Sequence, residues 1–129
     1  MMTFAEFDQR LTDEVLTPMR NYLKICLDEC GEADFSDKHI EKCAELMREY
    51  GKTLSSLTVP SGAARDKKIM AAVKKLTLAL NKLNEKTDYA MLETDERENI
   101  CVLVQDFAVA CGLTDVPEDD DVTGEWREF

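Results

Sequence analysis

Residues 35–51 run Phe35-Ser36-Asp37-Lys38-His39-Ile40-Glu41-Lys42-Cys43-Ala44-Glu45-Leu46-Met47-Arg48-Glu49-Tyr50-Gly51, and their spacing decides the fold class. Ser36 has a side-chain oxygen suited to capping the free N–H groups at a helix start. Phe35 before it can pack on Ile40, the fourth helical position, as a hydrophobic staple. Ile40, Cys43, Ala44 and Met47 then recur at steps of three and four, which places them on one face of an α-helix. Gly51 reads as the stop, and residues 52–62, closing on Val59-Pro60-Ser61-Gly62, as a helical extension followed by a loop.

The same period returns on both sides. Upstream, Thr3-x-x-Glu6 can form a capping box, and Phe4, Phe7, Leu11, Val15, Met19, Tyr22, Cys26 and Cys30 follow as one stripe up to Gly31. The stripe crosses Pro18, whose missing N–H and bulky ring predict a helix kinked or broken there. Downstream, Ile69, Val73, Leu76, Leu80 and Leu83 predict a helix over about 63–85. Its opposite arc carries Lys67, Lys68, Lys74, Lys75 and Lys82 around Leu78. A fourth helix should begin at Thr94, with Asp95 and Glu96 favouring its N-terminus, and end at Cys111 before Gly112 in the left-handed conformation. Ile100, Leu103, Val104, Phe107 and Cys111 share one face, while Val102 and Val109 point the other way. A helix apolar on two sides predicts the bundle's central helix; the lesser reading is a homodimer through this fourth helix.

The expectation is an all-α, compact helical bundle of four to five helices. Residues 1–113 form the bundle, and the acidic tail 114–129 packs on the same domain through Trp126 and Phe129, because two aromatics in the last four residues are unlike a free solvated tail. Leucine and alanine (14 and 11) outnumber valine and isoleucine (8 and 4), a balance that favours helix over sheet. No apolar run reaches the ~18 residues that span a bilayer and no signal peptide opens the chain, so a cytoplasmic protein without membrane contact is expected. The five cysteines are odd in number and fall in apolar-periodic segments, which reads as buried thiols in a reducing compartment.

Catalytic equipment is sparse. There is no Gly-rich phosphate loop, no G-x-S-x-G and no H-E-x-x-H, and His39 is the sole histidine, so no enzyme activity and no cofactor are expected. The sharpest constellation is Cys26-x3-Cys30 with His39-x3-Cys43. Each pair shares a helix face, and an antiparallel hairpin about Gly31 would gather a Cys3His set of the structural zinc type. The competing reading, four ordinary residues in or beside the core, carries more weight, so the zinc sensor stands as the alternative function. Asp119-x-Asp121-x-Thr123-Gly124 resembles the opening of a calcium loop, but the twelfth position falls beyond Phe129 and Glu128 stands at the tenth.

Charge carries the functional expectation. The net charge is −11, with residues 53–87 at +5 and residues 88–129 at −11. An acidic whole opposes encounter with phosphate backbones, which makes nucleic acid an unlikely partner, and steers basic proteins inward. The reading is a non-catalytic protein-binding module, of the inhibitor, immunity or adaptor type, presenting an acidic surface to a basic partner. Its candidate binding residues are the ridge Glu41, Glu45 and Glu49 at i, i+4 spacing, the run Asp119, Asp120 and Asp121, and Trp126 as an anchor.

Overall fold

The structure is a computed structural model that describes residues 2–119 and 121–129. Four helices account for the bundle among the described residues, and no strand is present there. The first, α1, is one rod in three pieces: α-helical Phe4–Arg10, a π-helical stretch Leu11–Leu16, and α-helical Thr17–Cys30. Then come α2 (Asp37–Ser55), α3 (Ala63–Lys86) and α4 (Thr94–Ala110). Cross-links fix an up-down-up-down order. Arg48 pairs with Asp8 and Arg20 with Glu41, so α1 and α2 are antiparallel. Arg65 at the start of α3 reaches the carbonyl of Cys111 just past α4, while the Leu92 N–H before α4 donates to Asn84 near the end of α3.

The caps behave largely as local chemistry requires. Thr3 Oγ1 accepts from the Glu6 N–H at 3.2 Å, and Phe35 and Ile40 are both buried at the staple. At Ser36 the reciprocal half of the capping box comes from His39, whose Nδ1 accepts from the Ser36 N–H at 3.0 Å. Gly31 (φ 74°) and Gly112 (φ 106°) close α1 and α4. Beyond Gly112, the Leu113 N–H donates to the Ala108 carbonyl, the long bond of a Schellman motif, and Leu113 is buried.

The interruption of α1 lies before Pro18 rather than at it. Thr17 donates to the Thr12 carbonyl, five residues back, so the turn ahead of Pro18 is already widened and the helix resumes with the proline in its first turn. The insertion also sets the core face. Phe7, Leu11, Val15, Met19 and Leu23 are all buried at strict four-residue spacing. In an uninterrupted α-helix four such steps would drift by about 160°; one extra residue takes back about 100° of that. The stripe expected from sequence therefore fails past Met19, where Leu23 enters the core in place of Tyr22, and Tyr22 and Cys30 are exposed.

At the centre, Phe7 of α1 lies 4.6 Å from Phe107 of α4 and 6.1 Å from Tyr50 of α2, ring centre to ring centre. The Tyr50 hydroxyl donates to the Val104 carbonyl across the core. Gly51 is no stop: α2 runs through it to Ser55, and a Cβ there would sit 2.7 Å from Phe7 Cε1. Nor is α4 central. Val102 and Val109 are 53 % and 47 % exposed, so α4 is a corner of the bundle with an open outer face.

The C-terminal segment lies in the seam between α3 and α4. Asn81 of α3 grips its backbone twice, donating to the Trp126 carbonyl and accepting from the Glu128 N–H. Gln105 of α4 accepts from the Val122 N–H, and Val122 and Thr123 are buried. Trp126 and Phe129 are half-buried against the core, with Lys74 Nζ 5.9 Å from the indole centre. Asn81→Ala should free this segment, shifting the fluorescence of Trp126, the sole tryptophan, to the red and opening the last residues to proteolysis. Acid should do the same in the native chain. Burial raises the Asp121 carboxyl, but hydrogen bonds from Thr123 and Arg127 outweigh it and hold the group below the usual carboxylate range. Its contribution is therefore complete above pH ~4 and lost as pH falls through the lower folded value. An emission unchanged in the variant would show that Asn81 does not hold the tail.

Candidate functional site

The expected metal set does not assemble. Cys43 is fully buried, and burial pushes its thiol up to about 12, which keeps it protonated. Cys30 is exposed on the overhanging end of α1, Cys26 is half-buried, and His39 Nδ1 is engaged in the cap of α2. Among the described residues no three His, Cys, Asp or Glu side chains stand where they could share a metal ion. The one-residue insertion in α1 is the physical cause, since it rotates the second half of that helix away from the phase on which the hairpin depended.

The expected binding residues are split between two regions. Glu41, Glu45 and Glu49 do line one outer face of α2, but each carboxylate already holds a cation: Arg20 at 2.6 Å, Lys42 at 3.2 Å and Lys75 at 2.9 Å. Asp121 is turned inward to Arg127 and Thr123, and Asp119 accepts from the Asp121 N–H, so this run caps its own turn. Asp120 lies outside the described residues. Trp126 belongs to the seam between α3 and α4, and no hydrogen bond or ion pair among the described residues joins it to the α2 ridge.

The uncompensated charge sits elsewhere. The antiparallel order brings the end of α1, the start of α2, the end of α3 and the start of α4 to one end of the bundle. Asp28 and Glu29 arrive there on the last turn of α1, Glu32 and Asp34 on the α1–α2 connection, Glu93 just before α4, and Asp95 and Glu96 in its first turn. None of these seven forms an ion pair among the described residues. Their field is felt by their neighbours. Burial, and after it the charges of Glu93 and Asp95, push the Glu96 carboxyl up. The Tyr22 hydroxyl is raised by its hydrogen bond to Cys26, with Glu93 and Glu96 adding to it.

Apolar side chains stand exposed among these acids. Tyr22, Ile25 and Leu27 protrude from the last turns of α1, and Tyr89, 61 % exposed, from the connection between α3 and α4. Tyr22 is braced by stacking on Phe35 at 6.1 Å and 10°. Asp88 and Tyr89 both adopt the left-handed conformation, φ 58° and 62°, which costs an L-residue roughly 1–2 kcal/mol each. The Asn84 carbonyl accepts from the Thr87 and Tyr89 N–H groups and the Thr87 hydroxyl, and the Asp88 N–H donates to the Glu85 carbonyl, which together hold that shape.

This end was legible only in part. The acidic runs flanking Gly31 and Thr94 are visible in the sequence, but their convergence needs the antiparallel order, and the exposure of Tyr22 needs the insertion in α1. No described helix is long and apolar enough to cross a membrane. No protein-family model, curated protein or solved structure matches this chain.

Proposed function

We propose that this chain is a non-catalytic protein-binding module that receives a basic partner on the loop end of its bundle. The carrying observation is the combination found there: seven carboxylates without ion-pair partners around exposed Tyr22, Ile25, Leu27 and Tyr89. Aromatic and aliphatic anchors ringed by charge suit an interface, with the anchors supplying affinity and the charge supplying rate and selectivity.

Glu93, Asp95 and Glu96 suit the N-terminus of α4, but the acids at the end of α1 have no such role. Asp28 and Glu29 stand in the last turn of α1, where the helix dipole disfavours negative charge and where no basic residue offsets them. Two strained residues likewise hold Tyr89 in solvent rather than in the core.

The test is affinity capture at low and high salt with three proteins: the native chain, an end variant (Asp28→Lys, Glu29→Lys, Tyr89→Ser), and a ridge variant (Glu41→Lys, Glu45→Lys). All five positions are exposed. A basic protein should be retained by the native chain and the ridge variant, released by salt, and lost by the end variant. Equal retention by the end variant would sink the proposal.

A further inference from the structure

The C-terminal segment is held in the seam between α3 and α4 as a bound peptide would be. Asn81 donates to the Trp126 carbonyl at 2.8 Å and accepts from the Glu128 N–H at 2.9 Å. Those two groups flank Arg127, so one side-chain amide pairs with the main chain as a residue of a neighbouring strand would. On the other bank Gln105 accepts from the Val122 N–H at 3.0 Å. Bonds to the main chain give affinity without reading side chains, and selectivity then rests on how the seam receives those side chains. It buries Val122 and Thr123 and half-buries Trp126 and Phe129, with Lys74 over the indole.

The segment also carries its own shape. Asp121 accepts from the Thr123 N–H and hydroxyl and pairs with Arg127 at 2.8 Å, and the Arg127 N–H closes a turn on the Thr123 carbonyl. All of these groups lie within residues 121–129, so a free peptide of that sequence brings the turn with it and loses less entropy on docking. The chain fastens itself further upstream, where Thr114 bonds Asp66 through its N–H and its hydroxyl. Residues 121–129 can therefore leave the seam while the end of α4 stays anchored. Nor does the segment cover all the apolar surface beside it. Leu78, between Lys74 and Asn81 on α3, and Val102, on the α4 bank next to Asp121 and Arg127, stay 42 % and 53 % exposed.

We propose that the α3–α4 seam is a peptide-binding groove whose resident occupant is the chain's own C-terminal segment. In trans it takes a partner segment of the same chemistry, an acid-capped turn followed by Trp-x-x-Phe. That segment meets Asn81 and Gln105 through its main chain and seats its tryptophan under Lys74. Leu78 and Val102 offer a longer partner the apolar surface that the resident segment leaves uncovered. None of these residues belongs to the acidic end of the bundle, so this site stands or falls independently of it.

The test uses a dye-labelled peptide of residues 121–129 and a full-length chain with Trp126→Ala and Phe129→Ala, which loosens the resident segment. Fluorescence polarisation should show saturable one-to-one binding to this chain, and no binding of a shuffled peptide of the same composition. The native chain, whose tethered segment competes at an effective concentration on the order of millimolar, should bind at least about tenfold more weakly. Adding Asn81→Ala to the loosened chain should also weaken binding by about tenfold or more, as the loss of two hydrogen bonds implies. Thermal melting checks that each variant is folded; should the double variant not be, Trp126→Ala alone replaces it with the same expectations. No saturable binding, equal binding of the shuffled peptide, equal affinity for the native chain, or indifference to Asn81→Ala would each overturn the proposal.

Discussion

Phe7→Ala should destabilise the chain by about 3–5 kcal/mol, a large share of the ~5–15 kcal/mol that holds a typical domain folded. Phe7 is fully buried and is the ring on which α1, α2 and α4 converge, against Tyr50 and Phe107. The loss includes its burial, its two aromatic neighbours and a cavity the helices cannot close without moving. Gly51 supplies the discriminating partner. A methyl at Gly51 would stand 2.7 and 2.8 Å from Phe7 ring atoms and 2.9 Å from Phe4 Cε1. In the native background Gly51→Ala should therefore cost up to about 2 kcal/mol, because an overpacking penalty of ~1–3 kcal/mol is only partly offset by the ~1 kcal/mol gained by replacing a helical glycine. Once Phe7 is alanine the same change should cost less, because only the contact with Phe4 remains. Urea denaturation of the four proteins of this cycle measures the coupling. A Gly51→Ala cost that is equal in both backgrounds would show that the approach to Phe7 is not what requires glycine.

The second large effect is expected at Arg65. Its guanidinium has no carboxylate partner among the described residues. Instead Nε donates to the Cys111 carbonyl at 2.6 Å, and Nη1 donates to the Val59 carbonyl at 2.7 Å and, at 3.5 Å, to that of Leu57. These carbonyls close the segment after α2 and the end of α4, so one side chain ties three parts of the chain at the bundle end remote from the acidic patch. A positive charge at these spent helix ends also faces the negative pole of the dipole. Arg65→Met keeps most of the bulk but leaves the carbonyls without a donor. It should cost about 2–4 kcal/mol and lower the melting temperature by roughly 10 °C. Arg65→Lys should recover less than half of that, because a single ammonium lacks the fork that spans separate acceptors. Melting curves that place the lysine variant level with the native chain would reduce Arg65 to a simple charge.

What was legible in the sequence was local. The staple of Phe35 on Ile40, the start at Thr3, the stop at Gly31, the left-handed stop at Gly112 and the three-and-four spacing in α2, α3 and α4 depend on residues within one or two turns of each other. Such signals survive being read along a line, and they determined an all-α bundle. The readings that failed each depended on a contact between elements. Gly51 looked like a stop because glycine usually ends a helix, yet here a ring from α1 occupies the space its side chain would fill. Val102 and Val109 suggested a sandwiched helix, yet four helices of these lengths leave each a corner with one side in solvent.

The functional surface turned on the same distinction. The ridge of Glu41, Glu45 and Glu49 was visible as spacing, but the cations that neutralise it come partly from α1 and α3. Cys26 and Cys30 looked aligned with Val15 and Met19, but one extra residue before Pro18 turned the helix that carries them. The insertion spans Leu11–Leu16 and buries its own Leu11, Val15 and Leu16. It is held because it keeps Leu11, Val15, Met19 and Leu23 facing the other helices, a gain that exists only once those helices are there. The sequence by itself therefore determined where the helices begin and which residue types they hide. The tertiary structure alone decided how far each helix is rotated, and with it which acids and rings meet at the exposed end.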